Sequence, residues 1–135
     1  MKLLFITPVV VILSALLGYG VLRATGWQPY PREMIAAAVP SLLAGVAAIL
    51  PALWQRPGGQ AAVVQGAFQG MIIHMGATLA FGVMAFLVAG PHGLAIQPFA
   101  LWMMWFFVGT LTAVSGSLIR VIRSTPITGA NVQTP

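Results

Sequence analysis

Four apolar runs, each long enough to cross a hydrocarbon layer, leave this chain few folds to choose from. A crossing takes roughly 20 apolar residues. The runs cover 3–22, 34–54, 61–89 and 98–119, the third longer than a crossing needs and therefore tilted or protruding. Turn residues separate them: Thr-Gly-Trp-Gln-Pro-Tyr-Pro at 25–31, Arg-Pro-Gly-Gly at 56–59 and Gly-Pro-His-Gly at 90–93. Connections this short make consecutive helices antiparallel neighbours. The expected fold is an all-α integral membrane protein, four antiparallel transmembrane helices in one compact bundle over 1–123. A short polar tail over 124–135, without periodicity, is expected to be disordered.

Charge agrees with that reading. Only 5% of the 135 residues are charged, where a soluble domain carries about a quarter. Six basic side chains scattered along the chain form no patch for nucleic acid. They serve better as topology signals. With four spans, Lys2, Arg56, Arg120 and Arg123 share one side, while Arg23 and Arg32 fall on the other beside Glu33, the sole acid. The positive-inside rule then sets both termini in the cytoplasm of a bacterial inner membrane. Trp27, Tyr30, Phe99, Trp102 and Trp105 gather near the outer ends, as an interfacial belt does. The opening Met-Lys and apolar run are shared with cleaved leaders. The run is long for one and no Ala-x-Ala follows it, so a retained first span is expected.

The third run carries a stripe at strict four-residue spacing: Gly66, Gly70, His74, Thr78 and Gly82. Positions i and i+4 lie on one helix face. Small residues at this spacing let helix backbones approach closely in lipid, and the two polar groups seek partners there. The stripe is therefore expected to be a helix-contact or partner-binding face. In the plainest reading, neutral His74 bonds to a neighbouring helix and Thr78 bonds its own i−4 carbonyl. A second gives His74 a contact role in a larger assembly, or proton or ion handling. A third makes His74 an axial ligand to haem or chlorophyll, with Gly70 leaving room for a flat macrocycle. A bis-His haem within one chain does not follow, since His92 lies about 27 Å further along a continuous helix. The hydroxyls and glycines of the fourth run, among them Gly109, Thr110, Thr112, Gly116 and Ser117, are expected to be packing devices. Pro40 and Pro51 free backbone carbonyls in the second run.

No catalytic constellation is present. The chain has no carboxylate pair for acid–base work, no cysteine, and no His/Asp/Glu cluster at metal-ligand spacing. No enzyme activity, no metal and no resident cofactor is expected, the ligand reading of His74 apart. Carboxylates to hold a transported cation are also lacking, so a pore could arise only by oligomerisation.

The third run and its flanks resemble the ATP synthase protein I family, small membrane proteins encoded beside the membrane-sector subunits. The family pattern has a Gly-containing helix ending in Leu-Pro, a short basic loop, a helix with Gly, Lys and Thr at four-residue steps, and a final apolar helix. Here Leu42-Leu43-Ala44-Gly45 and Leu50-Pro51 precede Arg56. Gly70, His74 and Thr78 follow at those steps and run into Leu79-Ala80-Phe81-Gly82-Val83, and the last helix opens near Pro98-Phe99-Ala100-Leu101. The likeness covers 34–119. Met71 stands where the family often has an acid, and His74 where it has lysine. The resemblance implies a non-enzymatic accessory role in assembling the rotor ring or membrane sector, with ATP synthase subunits and membrane lipids as partners. Divalent-cation handling, also proposed for the family, is disfavoured by the missing acid. The alternatives are a minor structural subunit of a respiratory or photosynthetic complex and a small oligomeric channel or transporter.

Overall fold

A computed structural model describes residues 5–126, and these are helical throughout their regular parts, with no strand. Lys2, the first residues of the expected first span, and 127–135 of the expected tail lie outside the described residues. The helices are α1 (Ile6–Ala24), α2 (Pro31–Trp54), α3 (Gly59–Ala89) and α4 (Ile96–Ser124). Single 3₁₀ turns at Arg56–Gly58 and Gly90–His92 join α2 to α3 and lead from α3 towards α4. By length and composition, three helical segments can cross a membrane: Ile6–Ala24, Pro31–His92 and Ile96–Ser124. The middle segment contains α2, α3 and the turn between them.

The boundaries have local causes. Gly26 adopts φ 76° after α1, and the bonds Gly26 N–H to Arg23 O (3.3 Å) and Trp27 N–H to Leu22 O (2.9 Å) close a Schellman-type cap. Pro31 occupies the first turn of α2, where its missing N–H costs nothing. α2 then runs unbroken through Pro40 and Pro51. α4 continues five residues beyond the expected end at Ile119, because Arg120 and Arg123 end the apolar run without ending the helix.

α2 and α3 fold back on one another as an antiparallel hairpin. A Cβ added to Gly66 would stand 2.7 Å from the Pro51 carbonyl oxygen, and one added to Gly70 would collide with the carbonyl oxygen of Ala48. As α3 advances four residues, its neighbour on α2 recedes by about the same step. α1 lies on α2 and α4 over half their length. Its first turn, at Thr7, meets Gly45 and Thr110, and Ser14 and Gly18 then meet Gly109 and Trp102. α4 extends 14 residues past Thr110, where its buried side chains pack with those of α2 and α3.

This offset divides the interior into two cores. Toward the end that carries Arg56, Arg120 and Arg123 (the basic end), Ala48, Ile49, Ala52, Val63, Ala67, Val114, Leu118 and Val121 pack together from α2, α3 and α4. Toward the opposite, aromatic end, Val11, Ala37, Phe99, Trp102 and Phe106 form the second core, with α1 included.

Candidate functional site

All five members of the α3 stripe are buried. Gly66 and Gly70 sit against the backbone of α2, and Gly82 against the Met103 side chain of α4, whose Cε would be 2.7 Å from an added Cβ. Between them, His74 has no exposed surface. Its Nε2 lies 3.0 Å from Thr110 Oγ1, and its ring stacks on Phe107 at 5.3 Å between centroids. Thr78 donates its hydroxyl to the His74 carbonyl at 2.6 Å. The stripe thus changes neighbour along its length, from α2 to α4. Within the described residues it is a helix-contact face, packed on α2 at one end and on α4 at the other.

The hydrogen bonds assign the imidazole tautomer. Thr110 has one hydroxyl proton and places it on the Phe106 carbonyl at 2.7 Å, with Phe107 O at 3.2 Å. With that proton on the Phe106 carbonyl, Thr110 is able to accept from His74, and the tautomer that fits this arrangement carries its proton on Nε2. Nδ1 is then an unprotonated acceptor, buried and without a partner. The space beside Gly70 is taken up by the Ala48 carbonyl.

Thr110 connects His74 to the rest of the molecule. The point where a Gly45 Cβ would stand is 3.7 Å from Thr110 Cβ and 2.5 Å from Thr7 Cγ2. One residue from each helix, Thr7, Gly45, His74 and Thr110, meets at this junction, and no charged group joins them. Thr7 Oγ1 is also buried without a partner. Sequence reasoning missed Thr7 and the role of Gly45; the signal available was a hydroxyl near the start of an apolar run. On α4, Thr112 is exposed and bonds its own helix at the Val108 carbonyl, 2.9 Å away, so it is not the packing device expected of it.

Glu33 is the second missed residue. It is buried on the first turn of α2, and its Oε1 accepts the Ala95 N–H at 3.1 Å. Ala95 precedes α4, so the carboxylate caps the start of α4 and faces the positive end of its dipole. Among the described residues, no group of His, Asp or Glu is placed to hold a metal ion. No known family profile, curated protein or solved structure matches this chain.

Proposed function

We propose that the chain is a four-span, non-enzymatic accessory or assembly protein of the bacterial inner membrane, with both termini cytoplasmic, docking on the rotor ring or stator of an ATP synthase. The observation that carries this reading is the complete internal use of the α3 stripe. An enzyme or transporter must turn polar groups towards a substrate. Here the polar side chains of the α3 stripe, His74 and Thr78, are turned to this chain's own helices, and beyond the exposed Gln65 and Gln69 near the basic end the outward face of α3 is Phe68, Ile72, Met75 and Leu79. Such a face suits lipid and the apolar helices of a larger complex. Docking is therefore assigned to it, with the stripe behind holding α3 at a fixed distance from α2.

The orientation is supported by charge. Arg56, whose Nη2 reaches Ser124 Oγ at 3.3 Å, shares its end of the bundle with Arg120 and Arg123. The choice of complex is supported by the sequence resemblance across 34–119. A mild-detergent pull-down of tagged chain from its native membrane, read by mass spectrometry, tests it. Rotor-ring or stator subunits are expected, and Leu79→Gln is expected to lose them while the chain stays folded. Recovery of no such subunit overturns the docking assignment.

One observation favours a second reading. The unpartnered Nδ1 of His74 is the unprotonated nitrogen that a metal ligand needs, which suits a minor subunit of a respiratory or photosynthetic complex. A visible spectrum of the same eluate decides it: a Soret or Qy band that His74→Ala removes supports the ligand role, and a colourless eluate ends it.

A further inference from the structure

At the aromatic end, a groove of about 690 Å³ opens between the end of α1, the connection that follows it and the start of α4. Trp27, Tyr30, Trp102 and Trp105 bring four aromatic rings to its lining. Gln28 and Gln97 bring amides, and neither Lys, Arg, Asp nor Glu contributes.

Two of the rings are held in place, and a third stands on a constrained backbone. Trp102 donates its indole N–H to the Pro29 carbonyl, and Trp105 donates to the Ser14 carbonyl, both at 2.9 Å. Both indoles are thereby fixed, and each has spent its sole hydrogen on the protein. Gly18 lets them approach α1: a Cβ there would stand 2.8 Å from Trp102 and 3.1 Å from the Trp105 ring nitrogen. Tyr30 has φ 45° and ψ 68°, the one non-glycine residue in the left-handed region among those described. Strain of this kind persists where the surroundings impose it, and it gathers at ligand sites.

Aromatic faces are negative and attract a cation. An anion gains nothing from them, and no base in this lining offers it a partner. Amide carbonyl oxygens can accept the N–H groups of an ammonium ion. A second crevice, about 560 Å³ between α3 and α4, is lined by apolar side chains and Thr78. Thr78 has given its proton to His74, so that crevice has nothing with which to select a headgroup.

We propose that the aromatic groove binds the ammonium headgroup of a phosphatidylethanolamine-type lipid, with Leu22 and Leu101 beneath for its apolar part. The assignment rests on the membrane reading above, which puts this groove at the outer interface. It does not depend on the choice of partner complex.

The test uses full-length chain in nanodiscs of equimolar phosphatidylethanolamine and phosphatidylglycerol with identical acyl chains, followed by native mass spectrometry of the lipids retained on extraction. Retention is expected to favour phosphatidylethanolamine about two- to fivefold, the range of an exposed cation–aromatic contact. Trp27→Leu and Tyr30→Gly are expected to bring the ratio to parity; glycine accepts the Tyr30 backbone without strain. Trp54→Leu, an exposed aromatic at the opposite end, is expected to leave the ratio unchanged and reports on general lipid contact. Parity in the unmodified chain, a preference for phosphatidylglycerol, or equal loss in Trp54→Leu overturns the proposal. So does displacement of the bound lipid by soluble ethanolamine, which would assign the groove to a free ammonium ion. A chain that does not enter nanodiscs fails the membrane reading itself, an outcome distinct from parity in a chain that does.

Discussion

The two cores hold helices together by opposite means. At the basic end, α2 and α3 meet backbone to backbone, with Gly66 and Gly70 set against Pro51, Ala52 and Ala48. At the aromatic end, large rings fill the space between helices: Phe86 of α3 meets Phe99 of α4 at 5.9 Å between centroids, and Trp102 stacks along α4 on Phe106 at 5.5 Å. There, hydrogen bonds from the Trp102 and Trp105 indoles to backbone carbonyls, and from the Ala95 N–H to the Glu33 carboxylate, tie neighbouring elements together. On the membrane reading proposed above, apolar surface between helices gives little advantage over the acyl chains it replaces, so close packing and hydrogen bonding do the holding. The basic end uses the first and the aromatic end the second. Small residues tolerate no enlargement. Ring-and-bond contacts can lose one member and keep the rest.

Gly70→Leu is the sharpest way to break that difference. The added side chain meets the Ala48 carbonyl oxygen, and backbone cannot swing aside as a side chain can. The expected loss is about 3 kcal/mol, the upper part of the range for overpacking, seen as unfolding at lower SDS fraction. Gly76→Leu on the same helix is the matched control, since nothing lies within 4 Å of its added Cβ. It is expected to be neutral or slightly stabilising through helix propensity. Equal losses at 70 and 76 would show that the hairpin is not packed by close approach.

The aromatic end should respond less to single changes. Trp102→Phe keeps a ring against Phe106 but gives up the bond to Pro29 O, and a cost of about 1 kcal/mol is expected. Glu33→Ala removes the acceptor of the Ala95 N–H at the start of α4, a capping loss of about 1 kcal/mol. Glu33→Gln retains a carbonyl oxygen and is expected to recover most of it. Hydrogen exchange at Ala95 and Ile96 separates the two: faster in Glu33→Ala and near the original rate in Glu33→Gln. A loss in Trp102→Phe matching that of Gly70→Leu would erase the contrast between the ends.

The helical segments were legible because apolar runs and turn residues mark them directly. Expected runs at 34–54 and 61–89 compare with helices at Pro31–Trp54 and Gly59–Ala89. The stripe was legible as a face of small and polar residues, but its neighbour was not. A small residue that admits the backbone of α2 has the same spelling as one that admits a partner's helix. Thr7 was hidden for another reason. Its place at the junction depends on how far α1 is offset along α4, which is set by tertiary packing rather than by any local pattern. Glu33 was read as a charge to be counted; its cap on α4 joins residues 62 positions apart.

The junction of Thr7, Gly45, His74 and Thr110 lies where one packing scheme gives way to the other, and its coupling is the smallest effect worth measuring. His74 and Thr110 share one hydrogen bond, yet each has another role. Thr110 satisfies itself on the Phe106 carbonyl without His74, and His74 keeps its stack on Phe107 without Thr110. Single substitutions therefore mix several losses, and only a double-mutant cycle isolates the bond. His74→Ala with Thr110→Val is expected to give a coupling of about 0.6 kcal/mol, the average for interhelical hydrogen bonds in membranes. A coupling near zero would mean that the junction is held by shape alone, as at the basic end. A value above about 1.7 kcal/mol, the largest seen for such bonds, would mean that His74 Nδ1 also takes a partner that the double substitution removes. The size of this term thus decides to which half of the molecule the junction belongs.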